Sequence, residues 1–268
     1  GAAWMSFGVA VLFALLTACS YAELVTKYPR AAGASLYVNR AFRNDALSFL
    51  VTFCLLAAGL AAVGALARVF GGRYFQEFVA APQLLVAVLF VLALGLINFR
   101  GISESVWINT ALSIIELVGL LIIVVIGGMV LASGQADLSR PFQISAEGSA
   151  PFAVIGGATL AFFALIGFEN AVNVAEETRN PSRAYPLALF GGLALAGVLY
   201  IVVSFTAAMV VPIDVLAGSD GPLLEVVERG PLPIPGWAFS LIALVAVTNT
   251  ALVAHIMVSR VLYGMAQE

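Results

Sequence analysis

The chain has 268 residues, 62% of them hydrophobic and only 10% charged, with a net charge of −3 at neutral pH and a mean hydropathy of +1.06. Soluble domains run at roughly 45–50% apolar and about 25% charged, so a soluble enzyme is excluded. A single lysine and a net negative charge leave no basic surface for nucleic acid.

Cutting the sequence at every charged residue leaves seven uninterrupted windows of 20 residues or more, at 1–22, 46–67, 78–99, 117–136, 148–168, 184–213 and 230–259. A bilayer core of about 30 Å takes about 20 apolar residues at 1.5 Å each. The first-order reading is an all-α membrane protein of about seven transmembrane helices. A membrane β-barrel would alternate apolar and polar residues over segments of about 10, whereas Leu117–Leu131 is apolar all round.

In chain order, the expected helices cover 1–25, 45–69, 82–98, 103–131, 151–177, 185–211 and 237–265, within a single transmembrane domain (1–268). The first link, Lys27–Asn44, is polar. Pro82 opens the third helix where no backbone N–H is needed. Arg100-Gly101 makes a short turn, and Ser133–Ala150 is a Ser/Gly/Asp-rich loop. Pro212–Gly236 is expected to be a longer polar loop carrying Asp214, Asp220, Glu225, Glu228 and five prolines. The chain starts inside one hydrophobic run and stops just after another, without a visible signal peptide, and is expected to be an internal piece of a longer protein. Cys19 and Cys54, 35 residues apart in apolar windows, fit neither a disulfide framework nor a metal spacing and are expected to pack as small hydrophobes.

Lys and Arg set the orientation, because they gather on the cytoplasmic side. Seven helices in series place Lys27, Arg30, Arg40, Arg43, Arg100, Arg179, Arg183 and Arg260 on one side, against Arg68, Arg73, Arg140 and Arg229 on the other. The chain is therefore expected to start outside and end inside, with Pro212–Gly236 outside.

The stretch Phe162-Phe163-Ala164-Leu165-Ile166-Gly167-Phe168-Glu169-Asn170 lies inside the fifth segment. Gly167 lowers helix propensity there, and Glu169 with Asn170 brings polar groups into an apolar span. Two readings stand: a helix broken near 166–170 whose unwound backbone faces a cavity, or an ordinary helix whose Glu169 reaches the headgroups. Glu116, flanked by Ile114-Ile115 and Leu117-Val118, sits near the middle of its helix. An acid there costs about 2.5–3.5 kcal/mol and must be protonated, paired or wetted. It is either a coupling or gating group or a neutral hydrogen-bonder between helices. Thr248-Asn249-Thr250 offers oxygen ligands to an ion or substrate, unless the hydroxyls bond their own backbone. His255 suits a proton role by its titration range or an inter-helix hydrogen bond. The small-residue pairs Gly59/Gly64 and Gly191-Gly192/Gly197 allow close helix packing. No Ser/His/Asp, HExxH, Walker or Cys/His constellation is present, so no enzyme, metal or cofactor is expected.

Three stretches together resemble the amino acid–polyamine–organocation (APC) permeases. Ser20-Tyr21-Ala22-Glu23-Leu24, Tyr28-Pro29-Arg30-Ala31-Ala32-Gly33 and Tyr37-Val38 resemble the link after that family's second helix. Phe163–Glu169, with Ala175-Glu176-Glu177-Thr178-Arg179-Asn180-Pro181-Ser182-Arg183 and Pro186, resembles its broken sixth helix and the following cytoplasmic link. Ser259-Arg260-Val261-Leu262-Tyr263-Gly264-Met265-Ala266 resembles the end of its eighth. The resemblance covers essentially the whole chain and makes its helices equivalent to helices two to eight of about twelve. It implies a LeuT-like inverted-repeat transporter fold, here incomplete, lacking the first helix and those from nine onward. It also implies a secondary active transporter of amino acids or related amines in the cell (plasma) membrane, by alternating access, with proton coupling or exchange.

On the same resemblance, Phe163 corresponds to the aromatic that gates the bound amino acid, and Ile166 and Gly167 to the unwound backbone that meets it. Ala164 and Leu165 lie alongside, and Glu169 stands where the family has an acid past the break. Glu116 matches a position where many relatives carry Lys, so an acid there is a departure and suggests that Glu116 itself carries a proton or does not couple. A pocket of Phe163, Ile166, Ala57 and Ala58 would favour a neutral or apolar side chain. The competing readings are a seven-helix channel or receptor-type protein, which would call for a pore filter or completeness at seven helices, and a non-transporting truncated remnant.

Overall fold

The computed structural model describes residues 1–28, 33–100, 106–144, 150–167 and 180–267. Among them the regular structure is helical: α1 (Ala3–Lys27), α2 (Gly33–Phe42), α3 (Asp45–Phe70), α4 (Arg73–Gln76), α5 (Gln83–Phe99), α6 (Val106–Ala132), a 3-10 turn (Arg140–Phe142), α7 (Ala150–Leu165), α8 (Pro181–Val210), α9 (Ile213–Gly218), α10 (Pro222–Arg229) and α11 (Gly236–Gln267). Five stretches are long and apolar enough to cross a bilayer: Ala3–Lys27, Asp45–Gln76, Ile108–Ala132, Ser182–Val210 and Gly236–Ser259. Two shorter apolar helices, Gln83–Phe99 and Ala150–Leu165, coincide with the remaining charge-free windows. Leu84, Leu92, Phe99, Phe152, Leu160 and Leu187 stand exposed, an outer surface that suits lipid and would be a liability in water.

Two compact units divide the chain, Gly1–Leu55 with Pro141–Phe205, and Leu56–Arg140 with Thr206–Glu268. In the first unit, α1 buries Ser6, Ala10, Ala14, Ala18, Ala22 and Val25. That near-regular spacing of four puts small side chains on one stripe, along which α7 lies against α1. Ser6 Oγ donates to the Val154 carbonyl at 3.1 Å, beside Gly157, where a Cβ would strike that hydroxyl. The core of this unit joins the alanines to Tyr37, Ala161, Leu165, Tyr185, Leu189 and Leu193. At its edge the Trp4 indole donates to the Pro141 carbonyl at 2.8 Å and meets Phe142 and Phe205 edge-on. Tyr37 is buried, which pushes its phenol up to about 12 and keeps it neutral.

In the second unit, Ala67, Ala87, Phe90, Leu94 and Ala251 form the core between α3, α5 and α11. Phe70 stacks on Phe90 at 4.0 Å between centroids. Gln83 turns back from the start of α5 and donates to the Arg68 carbonyl at 2.9 Å, satisfying an open end of α3. Gly119, Ile123, Ile126 and Val130 of α6 are buried at alternating spacings of four and three, a stripe that faces α10 and α11.

Two expectations change. The Pro212–Gly236 segment, read as a loop because of its prolines and acids, contains α9 and α10, with Pro222 opening α10 at a position that needs no donor. Cys19 and Cys54 are exposed rather than packed. On a lipid-facing helix an outward cysteine is as apolar as its surroundings, so core packing is not needed to place it.

Candidate functional site

In the first unit, α7 ends at Leu165, where the Ile166 N–H is shared between the Phe162 and Phe163 carbonyls at 3.1 and 3.3 Å. Gly167 then takes φ +137°, a backbone region that side-chain-bearing residues rarely enter. The apolar segment thus stops being helical at the position where the sequence places its glycine. Phe163 is 38% and Ile166 40% exposed, with Ala164 and Gly167 also exposed, whereas Leu165 is only 7% exposed and belongs to the core. Leu165 anchors the helix end; its neighbours present the free face. Glu169, and the 168–170 portion of the expected break, lie outside the described residues.

The second unit holds the remaining candidates, on α6 and α11. Thr248 Oγ donates to the Leu244 carbonyl at 2.7 Å and Thr250 Oγ to Ala246 at 3.1 Å, so both hydroxyls are satisfied within their own helix. Asn249 is different: it is 6% exposed, and among the described residues its Oδ1 has no hydrogen-bond partner. Glu116 is half-buried on α6 and forms no ion pair among the described residues. His255 turns toward α5, its Nε2 3.8 Å from where a Cβ on Gly95 would stand. One turn further along α11, Asn98 Nδ2 of α5 donates to Ser259 Oγ at 3.1 Å.

The sequence reading missed an ionic cluster in this unit. Glu225 of α10 is buried and accepts hydrogen bonds from the guanidinium groups of Arg73 and Arg229, with Ser219 Oγ donating at 3.2 Å. Arg73 also reaches Glu228 at 2.7 Å. Two arginines around one buried carboxylate balance the desolvation that would otherwise exclude it. The available signal was the i, i+3, i+4 spacing of Glu225, Glu228 and Arg229, which places all three on one side of a helix.

The profile of the family described as "Amino acid permease" matches residues 1–268. The chain belongs to the amino acid permease family. It is 27% identical to the branched-chain amino acid permease BcaP of Bacillus subtilis, over 98% of this chain and 59% of that protein. It is 29% identical to cationic amino acid transporter 4 of Mus musculus, over 98% and 44% respectively. A third relative, the low-affinity putrescine importer PlaP of Escherichia coli, is 28% identical over 98% and 59%. The chain spans about half the length of the curated relatives it matches. Membership agrees with the APC resemblance seen in the sequence, and this family member is a multi-pass integral membrane protein related to transporters rather than to enzymes.

Proposed function

We propose that the protein containing this chain is a secondary active transporter that moves amino acids or related amines across the plasma membrane by alternating access. The chain forms seven membrane helices of a single LeuT-like transporter domain, with the Lys27–Asn44 link inside. The observation that carries this reading is the end of α7: an apolar helix stops at Leu165, Gly167 takes a conformation that side-chain-bearing residues rarely adopt, and Phe163, Ala164 and Ile166 lie exposed beside it. Backbone that leaves the helix inside a membrane segment must meet polar groups in protein or a wet cavity, and a zwitterionic substrate offers both donors and acceptors. Phe163 gates the bound amino acid, Ile166 and Gly167 meet it through their backbone, and Ala164 and Leu165 line or support that end. Glu169 supplies an acid past the break, while Glu116, Thr248 and Asn249 serve coupling or gating. The relatives' names span branched-chain and cationic amino acids and putrescine; a neutral, apolar side chain fits the Phe163–Ile166 surface best.

The test is uptake into proteoliposomes holding the full-length protein, with and without an inward proton gradient. Labelled leucine should accumulate in response to the gradient or to internal leucine, and Phe163→Ala should raise KM for leucine. Stronger competition by arginine than by leucine would refute the apolar preference. Absence of uptake for every amino acid and polyamine tried would refute transport.

A further inference from the structure

In the first unit, the corner between α2 and α3 presents two arginines. Tyr37 anchors α2 in the core, meeting Tyr21 edge-on at 6.3 Å between ring centroids. Beyond it every residue from Asn39 to Ala46 is exposed, so the last turn of α2 overhangs the packed helices. Arg43 closes that turn: its N–H donates to the Asn39 carbonyl at 2.8 Å, and its φ is +49°. A left-handed position after a helix normally takes glycine or asparagine, yet here it carries a long cationic side chain against the backbone's preference. Among the described residues neither Arg43 nor Arg40 forms an ion pair. Asn44 then caps α3, its Oδ1 accepting the Leu47 N–H at 3.1 Å, which holds the corner in one shape.

From this corner α3 leads into an apolar stretch long enough to cross a bilayer. Phe49 and Phe53 are both exposed on it and stack on each other at 6.3 Å between centroids. At 1.5 Å per residue they stand about 6 and 12 Å along α3 from Asp45. The polar zone of one leaflet is about 5–8 Å thick, so a phosphate level with the corner puts both rings beside acyl chain. We infer that the corner is a binding site for an anionic phospholipid, its phosphate held by Arg40 and Arg43 and its chain laid along Phe49 and Phe53. Guanidinium groups match phosphate oxygens in paired hydrogen bonds. A free phosphate would gain nothing from the aromatic pair, and a choline headgroup would bring a second cation against the arginines. Asp45 is the one acid in the exposed stretch, leaving it a net charge of +1 (two arginines, one carboxylate), and its oxygens can accept from a headgroup hydroxyl. Lys27 adds little, being paired with Glu23. The leaflet rests on the transporter reading, which places this link inside, where anionic lipids draw basic segments; the site itself rests on the corner.

The experiment is native mass spectrometry of the full-length protein in detergent, titrated with phosphatidylglycerol and with phosphatidylcholine of the same acyl chains. The parent should bind phosphatidylglycerol about tenfold more tightly than phosphatidylcholine. Arg40→Gln and Arg43→Gly should each weaken phosphatidylglycerol binding by about fivefold and leave phosphatidylcholine binding unchanged. Glycine suits the left-handed backbone at position 43, so a loss there reads the side chain and not the fold. Phe49→Ala combined with Phe53→Ala should weaken both lipids alike. Arg68→Gln, which removes a charge near the other end of α3, should leave the preference intact. Equal affinity of the parent for the two lipids, or a preference that survives loss of both arginines, would overturn the site. Displacement of phosphatidylglycerol by millimolar inorganic phosphate would assign the arginines to a soluble anion and overturn the lipid. With leucine uptake measured alongside, the expected lipid response in a protein without uptake would refute the transport reading and leave the site standing.

Discussion

Gly197 and Gly192 lie five residues apart on α8 and look equivalent in sequence, yet their surroundings predict opposite responses to one added methyl. A Cβ on Gly197 would stand 2.6 Å from Val11 Cγ2 of α1, whereas among the described residues nothing lies within 4 Å of one on Gly192. Carbon atoms rest at about 3.5–4.0 Å, so Gly197→Ala forces α8 and α1 apart by about 1 Å or twists Val11 off its rotamer. Overpacking of that kind costs about 1–3 kcal/mol. Both alanines gain about 0.5–1 kcal/mol of helix propensity, which cancels in the comparison. Gly197→Ala should therefore be less stable than Gly192→Ala by about 1–3 kcal/mol, and Gly192→Ala slightly more stable than the parent. Denaturation of the full-length protein in mixed detergent–SDS micelles, followed by tryptophan fluorescence, measures both. Adding Val11→Ala to Gly197→Ala should recover most of the loss, because the clash then has no partner. Equal stability of the two glycine variants, or no recovery in the double variant, would refute close packing at Gly197.

Gly167→Val should lose about 1–3 kcal/mol through backbone strain at φ +137°, and should lower leucine uptake more than Gly156→Val, whose surroundings are open. Arg73→Ala leaves Glu225 with Arg229 and Ser219, so hydrogen exchange across α10 should quicken by a factor of about 10–100, corresponding to about 1–3 kcal/mol, with little change at α5. Asp137 accepts from the Ser139 hydroxyl at 2.6 Å and its amide at 3.0 Å, and Arg140 lies 3.0 Å away. These contacts hold its carboxyl below the usual carboxylate range. A lowered folded-state pKa means the stabilisation is present above about pH 4, the unfolded value, and is lost as pH falls through the folded one. Asp137→Asn should flatten the acid limb of a stability-versus-pH curve; an unchanged limb would refute the contact.

Composition and charge placement were enough to establish an all-helical membrane protein. In a bilayer every backbone group must pair within its own helix, and only long charge-free segments can meet that demand. Motif spelling placed the chain among amino acid permeases, and Gly167 marked the end of α7 because glycine carries its conformational freedom in its own backbone. Glu116 was visible for a similar reason: a lone acid inside Ile114–Val118 stands out whatever surrounds it. The faces of the helices were another matter. Segments apolar all round carry no periodic signal to say which side meets protein and which meets lipid, so Leu165 in the core, the outward cysteines and the contrast between Gly197 and Gly192 emerged only from packing. The Arg73–Glu225 cluster joins residues 152 positions apart, and Asn249 became informative once its neighbours Thr248 and Thr250 were seen to satisfy themselves. Such features depend on which groups the folded chain brings together, and spacing along a strand of sequence carries no record of that.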